Sequence, residues 1–246
     1  MELDLQRRAE DLLERCERTY TVTATGFLTP AEVLQLKNWA KRRGCPLLLS
    51  GGVENAERQV GFFLPDWLMP ETFDVSEEIR AVRITHRFGT LSHRDYLGAL
   101  LGLGVKREWL GDILVEDGGA TVFCLKSIES HLCTLEQVGR WGVRTASVPL
   151  SSVTPPVRNV RPVRFTVQSA RLDAVTAGLF HLSRTQAAER IRVGDVHLNY
   201  ELCQRPDAAV QPGDILSLRG SGKAQLTEIG GQSRKGRVFL TGEIWI

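Results

Sequence analysis

The residues with the clearest chemistry lie between 171 and 192. Ser183-Arg184-Thr185-Gln186 reads as a helix start, with Ser183 as N-cap and Gln186 reaching back from the third helical position to close a capping box. Such a start offers unpaired N–H groups and the positive end of the helix dipole, which suit a phosphate. Arg184, Arg190 and Arg192 are expected around it, and Arg171 begins the preceding helix. A guanidinium fork matches two phosphate oxygens and can stack on bases. Each arginine taken singly also reads as a solvated charge. Leu172 and Ile191 read as core positions, and Asp173 as a residue that orders a helix start. Farther on, Arg219-Gly220-Ser221-Gly222-Lys223 reads as a flexible glycine loop with two cations. Ser233-Arg234-Lys235-Gly236-Arg237 reads as a basic turn between apolar stretches at 226–229 and 238–240. Both extend the cationic surface or are solubilising hairpin tips, and the pattern leaves the two readings open.

Motifs for bond making are missing. His93-Arg94-Asp95 matches three residues of a kinase catalytic loop, but no Asp-Phe-Gly follows and no phosphate-covering glycine loop precedes it. His-Glu-x-x-His, Gly-x-Ser-x-Gly and Walker patterns are absent. Gly102-Leu103-Gly104 follows a helix, where a cofactor-binding glycine turn would follow a strand. The five histidines (86, 93, 131, 181, 197) are dispersed and read as surface or core residues. His86 and His93 lie among Arg83, Arg87 and Arg94 and could contact phosphate when protonated. The five cysteines (16, 45, 124, 133, 203) are odd in number and never form Cys-x-x-Cys, so they read as reduced thiols. No catalytic residue, metal ligand or cofactor is assigned.

The elements that must carry these residues follow from periodicity. A helix is expected over 3–20, with Leu5, Leu12, Leu13 and Cys16 near one face. A second runs from the N-cap Thr29, with Pro30 at its first position and Glu32 closing a capping box, to Gly44. Apolar runs at 46–49 and 60–64 read as strands. Residues 80–87 alternate as a half-exposed strand does. Ser92 caps a helix with Asp95 in its first turn and Leu97, Leu100 and Leu101 as its stripe. Strands at 113–115 and 121–125 flank the turn Asp117-Gly118-Gly119, and a helix is expected over 127–139. Pro149, Pro155, Pro156 and Pro162 resist regular structure and mark a junction near Arg161. Beyond it, Leu172, Val175, Leu179 and Leu182 have helical spacing, and Ala187, Ala188 and Ile191 form the buried side of a second short helix ended by Gly194. Val196 and Leu198 make a strand turned by Asn199. Pro212-Gly213-Asp214 leads into another strand with Ile215, Leu216 and Leu218. Two short helices on a small curled sheet result.

Composition bounds the rest. The 246 residues carry 31 Lys and Arg, 29 Asp and Glu, and 42% hydrophobic side chains, which excludes a largely disordered chain. No apolar run approaches the roughly 18 residues of a membrane span. The charged start MELDLQRRAEDLLERCERTY lacks a signal peptide's apolar core, so a cytoplasmic location is expected. The net charge of +2 is uneven. Residues 155–246 carry 13 basic against 8 acidic residues, and residues 1–154 carry 18 against 21. A basic end points weakly to a polyanion, and a solvated face explains it as well.

The order of elements after residue 163 is similar to the S-four-type RNA-binding domain, also called the αL motif. The likeness is carried by Arg171-Leu172-Asp173, Ser183-Arg184, Ala187, Ile191, Gly194, Val196, Asn199 and Gly213-Asp214. The whole chain resembles the YlmH family of bacterial ribosome-associated proteins. That resemblance rests on LSHRDYLGALLGLGVKR (91–107) with Gly111-Asp112-Ile113, and on RGSGK (219–223) and SRKGR (233–237). It implies that Arg171, Leu172, Ser183, Arg184, Gln186, Ala187 and Arg190 line the RNA-facing surface, with Ala187 small enough for close approach. Charge adds Arg192, Arg219, Lys223, Arg234 and Lys235. The implied partners are ribosomal RNA, the large ribosomal subunit and peptidyl-tRNA, in rescue and quality control of stalled translation. No membrane, cofactor or small-molecule substrate is implied, and the protein is expected to be a monomer off the ribosome. Two other readings stay open. One is an RNA-modifying enzyme, because Arg171-Leu172-Asp173 mimics the catalytic string of pseudouridine synthases, although no catalytic domain follows it. The other is a cell-division interaction factor. The expected class is α+β, in three parts: an N-terminal α/β module (1–75), an RNA-binding α/β middle domain (76–160) and the S-four-type domain (161–246).

Overall fold

The computed structural model describes residues 2–154, 159–233 and 236–245, which divide between two compact units, Met1–Pro156 and Val157–Ile246. The first unit contains, in chain order, α1 (Glu2–Thr19), β1 (Thr23–Leu28), α2 (Pro30–Arg43), β2 (Leu48–Ser50), β3 (Gln59–Phe63), β4 (Ile79–Thr85), α3 (His93–Gly102), β5 (Leu110–Glu116), β6 (Gly119–Leu125), α4 (Glu129–Leu132), β7 (Gln137–Val138), β8 (Trp141–Gly142) and β9 (Arg144–Val148). Its strands form a β1–β3–β2 sheet, a β5–β6–β4–β9 sheet and a short β7–β8 ladder. Every pairing between the described strands, in both units, is antiparallel, which makes the class α+β.

Short-range chemistry sets the helix ends. At α2 the Thr29 N–H donates to the Glu32 carboxylate at 2.7 Å and the Thr29 hydroxyl accepts from the Glu32 N–H, while Gly44 takes the left-handed φ of 71° that ends the helix. At α3 the Ser92 N–H and hydroxyl both donate to Asp95, each at 2.7 Å. The expected helix over 127–139 shrinks to the four residues of α4, after which the chain turns at Gly139 (φ 59°) into the β7–β8 ladder. Strands β1 and β9 arise where no strand was expected. Thr23, Thr25 and Phe27 are buried on one face of β1, and β9 pairs along β4.

The two main sheets of this unit share one core, in which Phe27, Val60 and Phe62 meet Ile79, Ala81 and Phe123. Helices α1 and α2 pack on Phe63 through Leu13, Leu36 and Trp39. Helix α3 packs Tyr96 and Leu100 on Val82, Ile84 and Val122. A polar seam crosses between the sheets. Arg58 donates to the carbonyls of Leu110 at 3.0 Å and Phe27 at 2.6 Å, and Arg107 donates to Leu110 at 2.7 Å. Asp112 accepts the backbone N–H groups of Glu57 at 2.6 Å and Arg58 at 3.1 Å. Burial lowers the pKa of both guanidinium groups, that of Arg107 to about 10, and raises that of the Asp112 carboxyl. These charges persist because they satisfy carbonyls and amides that would otherwise be orphaned.

The second unit contains β10 (Val160–Val167), α5 (Leu172–Leu179), α6 (Arg184–Arg192), β11 (Val196–Leu198), β12 (Glu201–Leu202), β13 (Ile215–Leu218), β14 (Gly222–Gln232) and β15 (Val238–Trp245). Its sheet runs β10–β15–β14–β13–β11–β12. Pro162, expected to resist regular structure, sits inside β10. That strand is an edge bonded only to β15, where a missing N–H is tolerated. Pro155 and Pro156 lie outside the described residues. Helix α5 presses so closely on β10 that a Cβ at Gly178 would stand 2.2 Å from the Phe165 ring. Asn199 (φ 52°) and Tyr200 (φ 69°) make the two-residue turn between β11 and β12. Residues 219–221 close a tight β13–β14 hairpin where a flexible loop was expected, with the Ser221 N–H on the Leu218 carbonyl at 2.9 Å.

Two outcomes follow. Arg58→Met removes the guanidinium donor from the Phe27 carbonyl and one of two from that of Leu110, which keeps Arg107, and should lower stability by about 1–3 kcal/mol in urea unfolding; no change would show that the Arg58 part of the seam adds nothing. Asp95 is held below the usual carboxylate range by the Ser92 N–H and hydroxyl. Its cap is therefore complete at neutral pH and is lost as pH falls through that lowered value. The Ser92 amide resonance should titrate with a midpoint below about 3.9.

Candidate nucleic-acid interface

The basic residues at the head of α5 and α6 are organised by one acid. Asp173 is buried at the start of α5, where its Oδ1 accepts the Ala174 N–H at 2.9 Å. Arg171 Nε approaches the same oxygen at 3.3 Å, and Arg184 Nε donates to Oδ2 at 3.1 Å. Two guanidinium groups thus converge on one carboxylate and leave a net positive charge. Their side chains remain 41% and 56% exposed, so each keeps N–H donors turned to solvent. The first amides of α5 are already used, Leu172 on the Ala208 carbonyl at 2.8 Å and Asp173 on that of Pro206 at 2.9 Å. At α6 the Ser183–Gln186 capping box forms as its spacing predicts. The Ser183 N–H donates to Gln186 Oε1 at 2.9 Å, and the Gln186 N–H donates to Ser183 Oγ at 3.2 Å. The N–H groups of Arg184 and Thr185 have no acceptor among the described residues, which leaves the α6 start open beside Arg184.

Arg190 and Arg192, expected around that start, lie in the last turn of α6, about 9–12 Å farther along the axis at 1.5 Å per residue. Arg190 Nε is 2.7 Å from Asp195, and Arg190 also donates to the Arg219 carbonyl at 2.6 Å. A six-residue-ring closure at the helix end produces this. The Asp195 N–H reaches the Arg190 carbonyl and the Gly194 N–H that of Ile191, with Gly194 at φ 87°. Arg192 and Arg219 are exposed. Lys223 lies over the rings of Tyr200 and Trp245, 5.3 and 5.4 Å from their centres. Arg171 and Arg184 therefore stand at the start of α6, Arg190, Arg192 and Arg219 at its end, and Lys223 on the rings of Tyr200 and Trp245.

Leu172 and Ala187 are wholly buried, so a surface role for their side chains is corrected: both belong to the interior of the unit. Ser183 and Gln186 are exposed, but each spends its side chain on the cap. Arg234 and Lys235 fall outside the described residues. Sequence reasoning underrated Asp173, whose place between Arg171 and Arg184 needs the fold to be seen. It placed Arg237 in a basic turn but not among the site residues; Arg237 donates to the Thr166 carbonyl. With Arg184, that residue borders a groove of about 360 Å³ between β10 and α5.

Residues 70–152 match the family described as "Putative RNA-binding domain in YlmH". The Ribosome-associated protein quality control protein P2 of Bacillus subtilis (strain 168) is 32% identical over 228 residues, spanning 92% of this chain and 89% of that protein. The chain belongs to the YlmH family. A solved structure, the Cell division protein ylmH from Streptococcus pneumoniae, aligns with a TM-score of 0.52 at 24% identity over 61% of this chain and 92% of that one, a likeness of fold. The YlmH domain match spans β4 to β9, so it falls on the first unit, and the arginine pair of α5 and α6 lies outside it.

Asp173→Ala should cost about 1–3 kcal/mol, read by urea unfolding of the full chain at Trp245, together with faster exchange of the Ala174 amide. An unchanged midpoint would mean that the acid does not hold the pair.

Proposed function

We propose that this protein is a non-enzymatic, cytoplasmic RNA-binding factor. In this reading it associates with ribosomal RNA of the large subunit and with peptidyl-tRNA, in quality control of stalled translation. The observation that carries the reading is the Arg171–Asp173–Arg184 cluster beside the open start of α6. Donors fixed in direction by a buried acid suit phosphate oxygens held at set positions in folded RNA. The B. subtilis relative's name, a ribosome-associated quality control protein, supports the choice of ribosome. The middle segment, 76–160, supplies a second contact, and the S-four-type segment, 161–246, the first. Two linked modest contacts gain affinity through effective concentration when both engage.

Charge reversal at Arg171 or Arg184 would set a second carboxylate against Asp173, so the neutral changes Arg171→Gln and Arg184→Gln give the cleaner test. Each should weaken co-sedimentation with large ribosomal subunits about tenfold, or about 1.4 kcal/mol, with the melting temperature kept. If four to six phosphates are engaged, log K should fall with log salt at a slope of roughly −3 to −5. Full binding by both variants, or a flat salt response, overturns the assignment.

A further inference from the structure

The first unit carries a second cluster of a different kind, at the open end of its four-stranded sheet. Strand β4 ends at Thr85, and β9, an edge strand, begins at Arg144 beside it. Between the loop after β4 and the β8–β9 corner lies a groove of about 490 Å³, lined by Arg87, Phe88, Trp141 and Arg144 among others, with no acidic side chain in its lining. Phe88 is 70% exposed. Trp141 is half-buried, and its ring is fixed on two sides. The Arg140 guanidinium lies 4.9 Å from the ring centre, and Gly89 (φ 86°) approaches so closely that a Cβ there would fall 2.5 Å from the ring. The His86 ring nitrogen Nδ1 is 3.0 Å from the Phe88 carbonyl, which ties the loop back to the strand end. Arg87, Arg140 and Arg144 are exposed and have no acidic partner among the described residues.

We infer that this groove binds an unpaired RNA nucleotide, its base stacked on the exposed Phe88 ring beside Trp141 and its flanking phosphates on Arg87 and Arg144. The inference rests on the reading of this chain as an RNA-binding protein, and adds the chemical form of the RNA at a site separate from the α5–α6 cluster. Three features favour it. A surface that only tracked duplex phosphates would need the arginines but would gain nothing from a phenylalanine left in water. A protein-docking patch would be depleted of charge at its centre, whereas here guanidinium groups flank both rings. An exposed aromatic ring among cations that lack an acidic partner is what sequence-tolerant binding of single strands uses, because every base offers a face to stack on. All of these residues lie within the segment matched by the YlmH RNA-binding model.

The test uses the full chain, a labelled single-stranded oligoribonucleotide of about eight nucleotides and a blunt RNA duplex. Phe88→Ala changes an exposed side chain and should leave folding intact. It should weaken single-strand binding about tenfold, equivalent to one lost stacking contact, with little effect on the duplex. Phe88→Tyr should restore binding. Arg87→Gln and Arg144→Gln should each flatten the salt dependence by about one ion's worth. Binding of single strands unchanged in Phe88→Ala, while Arg184→Gln still loses the large subunit, overturns this site and leaves the broader reading standing. Equal losses on single strand and duplex, or equal competition by a polyglutamate peptide, also overturn it. Absence of binding to every RNA by the unaltered protein would sink both.

Discussion

A buried carboxylate bound by two arginines is the constraint on which the C-terminal unit's chemistry depends. Asp173 is hidden at the head of α5, and its oxygens fix Arg171 on one side and Arg184, eleven residues on, on the other. An isolated buried acid would be costly, and two free arginines would spread over many rotamers. Together they settle at modest cost. The acid is neutralised, the guanidinium groups lose their freedom before any ligand arrives, and a surplus of one positive charge faces outward. Preorganisation of this sort spares a binding partner part of the ordering entropy. It also ties the two helices to each other at their starts, so the geometry of the interface and the packing of the unit are one problem.

The first unit meets a related difficulty with a different device. Its two sheets share a phenylalanine-rich core, and irregular backbone between them would leave carbonyls stranded in that interior. Arg58 and Arg107 fill this need with long, donor-rich side chains, and Asp112 answers the amides. Charge serves architecture there, whereas at the α5–α6 cluster it leaves donors turned to solvent. The difference is visible in where the donors end: on backbone carbonyls in the seam, and partly on solvent at the interface.

What the amino-acid sequence disclosed follows the range of the forces involved. Capping at Thr29, Ser92 and Ser183, and the stop at Gly194, involve neighbours within a few residues, and the structure forms all of them where spacing placed them. Strand β1 escaped notice because threonines rather than large apolar groups fill two of the three positions on its buried face. Strand β10 was obscured by Pro162, since only the finished sheet makes that position an edge. At the site, Arg171 and Arg184 were legible as residue types. Their joint hold on Asp173 was not, because periodicity says which residues share a helix face and nothing about which two helix heads meet. The same blindness put Arg190 and Arg192 at the wrong end of α6, where the closing turn at Gly194 turns Arg190 toward Asp195.

The pairing of β10 with β15 joins residues about as far apart in sequence as the unit allows, from Val160 opposite Trp245 to Val167 opposite Val238. A chain synthesised only through β14 would already hold both arginine-bearing helices, yet its first strand would have no neighbour to zip against. Non-local closure of this sort is slow relative to local helix formation. The C-terminal unit's sheet therefore closes through its least local pairing, while the Arg171–Asp173–Arg184 cluster needs only contacts within fourteen residues.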